Sequence, residues 1–353
     1  MGVFINGIGG ISPQGDGVPG DSIPGLDNPR EYHARMIQCP EPRLDTGLAD
    51  KYLRRMSRLI RLGWTASKIC LDDAGGLHPD AIITGSGWGS VGDSEKFLLS
   101  IYRNKENFLS PTPFIQSTHN AVGAQIAMLL DSYDYNMSYA HGSTAFEHAL
   151  LDSVMRLQSG ESKNILCGGF DEITENQFVL YDRLGWWRKE AASNLGMIEN
   201  PSKGTISGEG YHFFFLQNKK TEKTYSQVKW VETKVSDNIA ADSQIVERFK
   251  EHKVDWVFAG LNGDIESDRF YMYAIKALLK KELNIAVYKH LCGEYLTSSA
   301  FAMALAAKSI QVQQVPEIMK LSSRHETGEI RNILIYNLYK EKYHSFILLS
   351  KAD

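Results

Sequence analysis

The chain has 353 residues, a formal net charge of -4 at pH 7, 43% apolar residues and 23% charged ones. That length can bury a sizeable core and allows two domains or one large duplicated unit, and the ordinary composition excludes extensive disorder. No basic block points to nucleic acid, no cationic amphipathic segment to a membrane surface, and no apolar run is long enough to span a bilayer. Cys39, Cys70, Cys167 and Cys292 are far apart and show neither metal-ligand nor disulfide spacing, so no metal is expected. The N-terminal Gly-Val-Phe-Ile-Asn-Gly-Ile-Gly has no basic region or long apolar core and does not read as a signal peptide. A soluble cytoplasmic protein is the expectation.

Val3 to Ile8 reads as a buried strand, and Gly9 to Gly25 as a long Gly/Pro-rich loop without regular structure. Asp50 to Gly75 reads as an amphipathic helix whose apolar stripe includes Leu53, Met56, Ile60 and Ala66, with Arg54, Arg55, Arg58 and Arg61 on its wet side. Ala81 to Thr84 is a short strand followed by Gly85-Ser-Gly-Trp-Gly89, which lacks both the Rossmann and the P-loop pattern. Pro111 to Asn120 reads as an irregular polar loop and Ala121 to Leu130 as a helix of small residues. From Tyr139 the chain passes through a Gly142-Ser143-Thr144 turn into a helix ending at Gly160. Ala145, Ala149, Leu150, Val154, Met155 and Leu157 mark its buried side, and Ser143 or Thr144 can cap its first turn. A side chain at that junction sits at the positive end of a helix dipole, a common place for a nucleophile.

Asn164 to Gly169 and Tyr211 to Leu216 read as strands, and the polar run Gln217 to Thr224 as the boundary between two halves. The second half repeats the style of the first. Strands are predicted at Tyr225 to Val235, Val254 to Ala259, Ile333 to Leu338 and Ser345 to Leu349. Helices are predicted at Ile245 to His252, Asp268 to Leu279 and Leu296 to Ile310. Strands alternating with helices in both halves argue for an α/β layered fold.

Several motifs in this order line up with one family. They are Ile8-Gly-Gly-Ile-Ser-Pro-Gln-Gly15, Asp73-Ala-Gly75 at a helix end, Asn164 to Gly169 followed by Phe170-Asp-Glu172, and Gly208-Glu-Gly210 before a strand. Over its full length the chain resembles the β-ketoacyl synthases. The resemblance implies a thiolase-like αβαβα fold of two similar halves, 1–220 with the nucleophile helix and 221–353 after it. It also implies acyl chemistry on acyl or malonyl carrier protein, without a cofactor.

In that family a Cys at the N-terminus of the buried helix is acylated, and two histidines stabilise the charge that forms when a malonyl unit decarboxylates. Counting back from Gly160 puts Ser143 at the Cys position, and His148 then matches a His found in some members. Anchoring Gly260-Leu-Asn-Gly-Asp-Ile-Glu-Ser-Asp268 on Asp268 puts Gly260 at the first His position. Lys289-His-Leu-Cys-Gly-Glu294 keeps the family's Lys and Gly and carries Glu294 at the second His position. The family's C-terminal Gly-Phe-Gly-Gly loop is replaced by Asn337 to Ser345. An unassisted Ser is a poor nucleophile, Gly donates no side-chain hydrogen bond, and an ionised Glu repels a developing oxyanion.

The resemblance therefore implies a chain-length-factor-type subunit paired with an active ketosynthase, or a homodimer, docking acyl carrier protein. The alternative is a Ser-dependent acyltransferase or atypical ketosynthase in which His141 or His148 serves Ser143. His119 sits on a loop near the pocket in the resembling family and is expected to make a structural hydrogen bond. Cys292 reads as a buried, inert thiol, Glu209 as a residue that pins loops near a dimer interface, and Lys289 and Glu294 as an ion pair filling the vacated site.

Overall fold

The computed structural model describes residues 2–17, 26, 28–41, 55–279, 284–322 and 328–353. Its strands are β1 (Val3–Ser12), β2 (Gly15–Gly17), β3 (His33–Ala34), β4 (Ala81–Gly85), β5 (Tyr135–Tyr139), β6 (Asn164–Asp171), β7 (Ala192–Ser193) and β8 (Gly210–Gln217). The series continues with β9 (Ser226–Val235), β10 (Trp256–Ala259), β11 (Asn284–Val287), β12 (Lys320–Ser322), β13 (Asn332–Tyr339) and β14 (Tyr343–Ser350). The helices are α1 (Arg58–Asp73), α2 (Val91–Asn104), α3 (Pro111–Gln116), α4 (Ala121–Leu129) and α5 (Ala145–Ser159). They are followed by α6 (Glu175–Arg183), α7 (Ser243–Glu251), α8 (Ile265–Leu279), α9 (Lys289–Cys292) and α10 (Ser298–Val312).

The main strand path runs β12-β11-β10-β13-β14-β9-β1-β8-β6-β4-β5. At one end β4 pairs in parallel with β5 and β6, and β8 and β1 continue antiparallel. At the other, β10 pairs in parallel with β11 and β13, and β14 and β9 continue antiparallel. The order 5-4-6-8-1 is thus repeated as 11-10-13-14-9. The two sets meet where Val3, Phe4 and Ile5 pair with Val228, Gln227 and Ser226.

Alternation along the strands sorts the core into layers, because successive side chains leave opposite faces of a sheet. Phe214 and Leu216 of β8 face a central cluster with Phe146, Ala149 and Leu150 of α5 and the small-residue side of α10, which also meets Phe258, Ile335 and Ile347 from the other strand set. Phe213 and Phe215 face the opposite way, onto Leu62, Ala66 and Cys70 of α1 and Val122 and Ile126 of α4. On the far side, Val257, Leu334 and Phe346 pack on Ile245 of α7 and Tyr271 and Ile275 of α8. The layers are helix, sheet, helix, sheet, helix, with α5 and α10 in the middle. Strands buried on both faces explain the near-continuous apolar runs.

Four expectations are corrected. Gly9 to Gly25 is not a loop from its start: β1 continues through Ser12, and β2 folds back on it. Gly9 and Gly10 are strand residues because helices and side chains press on them. A Cβ at Gly9 would collide with the α1 backbone at Cys70. The helix expected from Asp50 begins at Arg58, where Ser57 Oγ accepts from Ile60 N; positions 50–54, with Leu53 and Arg54, lie outside the described residues. Pro111 to Gln116 is a short helix, opened by Pro111, whose fixed φ suits a first helical turn. Met155 is 60% exposed and so does not belong to the buried side of α5.

Candidate functional site

The turn after β5 carries Gly142 in the left-handed region and presents Ser143, which is 6% exposed, just before α5. Thr144 occupies the N-cap position, but the expected hydroxyl cap is absent: its side chain makes no capping bond, and Ser143 Oγ has no hydrogen bond among the described residues. Glu147 is fully buried in that turn; its Oε1 accepts from Ser345 Oγ at 2.7 Å, and its Oε2 has no hydrogen-bond partner among the described residues. Burial raises the Glu147 pKa, with Ser299, Ser345 and the charge of Lys289 acting against it.

His141 and His148 come together beside Ser143. Their rings stack with centroids 4.5 Å apart, His141 Nε2 meets His148 Nδ1, and His148 Nε2 lies 3.1 Å from Thr233 Oγ1 on β9. Burial lowers the pKa of both rings, and the neighbouring His141 lowers that of His148 further. A cavity of about 380 Å³ opens here, lined by Ser143, both histidines, Thr233, Tyr339 and Tyr343 among others.

Gly260 follows β10, and its surroundings leave no room for a side chain. A Cβ there would stand 2.5 Å from the Tyr271 hydroxyl, 2.7 Å from Asn337 Oδ1 and 2.9 Å from the Tyr288 hydroxyl. Those three groups form their own network. Tyr271 OH donates to Asn337 Oδ1 at 2.9 Å and accepts from Leu338 N at 2.6 Å, and Tyr288 OH lies 3.3 Å from the same Asn337 oxygen. Asp268 at the start of α8 accepts from the N–H groups of Asn262 and Gly263, both at 2.9 Å, and burial pushes its pKa up to about 6.

Lys289 and Glu294 form an ion pair. Lys289 Nζ is fully buried and donates to Glu294 Oε1 at 2.9 Å and Oε2 at 2.8 Å, with Tyr271 OH at 3.5 Å. Asn262 Nδ2 donates to Glu294 Oε2 at 2.6 Å. Burial opposes the charge on Lys289, yet Glu294 outweighs it and holds the Lys289 pKa above its ordinary value. Lys289 and Glu294 therefore form one hydrogen-bonded cluster with Tyr271 and Asn262, and Gly260 packs against its Tyr271. Ser143 lies apart from it, in a cavity that neither Gly260, Lys289 nor Glu294 lines.

The remaining residues fall outside this cluster. Glu209 is fully buried and accepts from Cys39 N, Ile173 N and the Arg58 guanidinium at 2.6 and 3.0 Å. Arg58, expected on a solvated face, is thus the partner of a buried carboxylate, which raises its pKa despite burial. Cys292 is buried against Tyr288 and Gly293 carbonyls, and burial pushes its thiol well up. His119 is exposed, lies against Gly89 and makes no side-chain hydrogen bond among the described residues, contrary to expectation.

Sequence reasoning missed Tyr271, Asn337, Tyr288, Asn262 and Glu147. Tyr271 and Asn337 are 66 positions apart and meet only through the packing of α8 on β13. Glu147 carried a usable signal, since an acid on the apolar side of a helix needs partners.

The family model described as "Beta-ketoacyl synthase, N-terminal domain" matches residues 45–262. No curated protein sequence matches the chain. Among solved structures, "The ishigamide ketosynthase/chain length factor" superposes with a TM-score of 0.79 at 18% identity, covering 100% of this chain and 99% of that one. A β-ketoacyl synthase from Burkholderia phymatum STM815 gives 0.76 at 14%, covering 100% of both chains. The ketosynthase ApeO in complex with its chain length factor ApeC from Xenorhabdus doucetiae gives 0.74 at 13%, covering 99% and 98%. The layered architecture and a family match over more than half its length agree: the chain belongs to the β-ketoacyl synthase family.

Proposed function

We propose that this protein is a condensation-inactive, chain-length-factor-type subunit that pairs with an active ketosynthase in fatty-acid or polyketide-type (aryl polyene-like) biosynthesis. The observation that carries the reading is the Lys289–Glu294 pair. It puts a carboxylate, held by Asn262 and Lys289, at the position matched to the second histidine. A fixed negative charge there opposes the enolate that decarboxylation forms. The tight packing around Gly260 adds to this, since the first histidine has no space to return.

The surface supports the partner. Strand β5 ends the strand path, and its outer edge has no pairing strand among the described residues. On it and on α5 packed beside it stand the exposed apolar side chains Met137, Leu151 and Met155. An open edge beside so much apolar surface marks an interface, and a homologous ketosynthase fits the solved pairs named above. Acyl carrier protein is the second partner, as in the solved complex of AntDE with the carrier protein AntF. We also divide the chain at 220/221, because the repeated strand order changes sets between β8 and β9. No described helix is long and apolar enough to cross a membrane, and a cytoplasmic location follows from the substrate.

Co-expression with a Cys-bearing ketosynthase, followed by native mass spectrometry, tests the reading: a stable mixed dimer is expected, and two separate homodimers would count decisively against it. The second reading, a Ser-dependent acyltransferase, is favoured by Ser143 lining an open cavity beside two histidines. Intact mass after incubation with acyl-loaded carrier protein separates the two. An adduct lost in Ser143→Ala would establish the acyltransferase.

A further inference from the structure

The two histidines beside Ser143 face each other through ring nitrogens. His141 Nε2 meets His148 Nδ1, the ring planes are 24° apart, and the other nitrogen of His148 lies 3.1 Å from Thr233 Oγ1. A neutral imidazole has one N–H and one lone pair, so facing nitrogens are both satisfied only when one donates and the other accepts. With His148 Nε2–H turned to Thr233, His148 Nδ1 accepts and His141 Nε2 donates. That leaves His141 Nδ1, which has no hydrogen bond among the described residues, as the place for an added proton. One added proton turns the contact into a charge-assisted bond between an imidazolium and an imidazole. A second would set N–H against N–H and put two positive charges on rings whose centroids are 4.5 Å apart, which is strongly unfavourable.

The surroundings carry few charges that face the pair. Tyr139 of β5 stands 6.0 and 6.4 Å from the two ring centroids, with its hydroxyl 3.2 Å from Asp152 Oδ2. On β9, Lys234 lines the same cavity and has Glu232 at 3.7 Å and Asp242 at 3.8 Å. The β13–β14 turn adds Tyr339, Tyr343 and Lys340, and Lys340 pairs with no carboxylate among the described residues. Glu147 of α5 is buried and turned to Ser345. No carboxylate lines the cavity among the described residues. Burial lowers the pKa of both rings and so keeps the pair neutral at alkaline pH.

We infer that His141 and His148 hold one proton between them and act as a pH switch on the wall of the Ser143 cavity, whose charge rises by a single shared unit as pH falls. The output is a cavity that admits anions more readily when the pair is protonated, because that charge joins Lys234 and Lys340 and no lining carboxylate offsets it. The inference concerns the pair alone and stands whichever reading of Ser143 holds.

Counting protons tests the sharing. Uptake between about pH 8 and pH 5 is measured by potentiometric titration, with far-UV circular dichroism showing that each protein stays folded. The wild type should take up about one proton more than His141→Asn/His148→Asn, and the same number as either single variant. A difference of two from the double variant would show two independent rings, and no difference would show a pair that stays neutral; either overturns the inference. So would a loss confined to one single variant, because that ring alone would then titrate. The output is read at Ser143→Cys, with the four native cysteines buried and free. Iodoacetate and iodoacetamide need the same thiolate, so the ratio of their rates cancels its ionisation and reports the local charge. On going from about pH 8 to pH 5 that ratio should rise about threefold more with the histidine pair than in its double Asn background. An equal rise in both would assign the charge change to Glu147, which both proteins keep, and would overturn the switch.

Discussion

Two regions of this molecule hold the residues that the resemblance matches to the family's catalytic positions, and they are built in different ways. At the tip of α5 the site is open: the turn and the buried Ser143 border a cavity, and the serine hydroxyl makes no hydrogen bond among the described residues. Around Gly260 and Glu294 the space is filled. Tyr271, Asn337 and Tyr288 occupy the room a side chain would need, and a buried lysine is neutralised by Glu294. The first region is an open pocket and the second a closed structural network. A single substitution can alter the chemistry of the first at little cost to folding, whereas any change in the second disturbs groups that depend on one another.

The largest expected effect is in the closed region. Glu294→Ala strands Lys289 without its counter-charge, and unfolding in urea should show a loss of about 3 kcal/mol or more. The double variant Lys289→Met/Glu294→Gln should recover much of it; a single variant within experimental error of the wild type would dissolve the contrast. Next comes Gly260→His, which should cost about 2 kcal/mol or more by overpacking and should restore no condensation. Gly260→Ala should cost less in a Tyr271→Phe background, where the nearest clashing oxygen is gone.

Asp268 gives a smaller, pH-dependent effect. Burial raises its pKa from 3.8 to about 6, so the fold favours the protonated acid. Its contribution is fully present below the unfolded value and is lost as pH rises through about 6. Between pH 4 and 7 the wild type should therefore lose about 2 kcal/mol relative to Asp268→Asn. Parallel stability curves for the two proteins would argue that Asp268 is ionised throughout. The smallest effect belongs to the open region: Ser143→Ala should shift stability by less than about 0.5 kcal/mol, because its hydroxyl holds nothing in place.

Much of the fold was legible in the chain itself. The apolar runs of β6, β8, β10 and β13 and the small-residue helix α10 were recognisable because a strand or helix buried on all sides must be apolar throughout. The helix α2 and strand β11 were not recognised. Helix α2 buries only Asp93 and so carries no core pattern, and β11 spans only Asn284–Val287, too short to show a period. The long loop expected after Ile8 failed because Gly and Pro usually signal turns, whereas here Gly9 and Gly10 sit in a strand against close neighbours.

For the site, the order of motifs pointed to Ser143, Gly260, Glu294 and Lys289 as candidates, and the structure joins Lys289 and Glu294 in the ion pair that their spacing suggested. What surrounds them is not local. Only the packing of α8 on β13 brings Tyr271 to Asn337 and closes the space at Gly260. Sequence offers candidate positions for a site; tertiary structure decides whether the space around each stands open or is filled, because volume and hydrogen-bond satisfaction are properties of neighbours that the chain brings together only on folding.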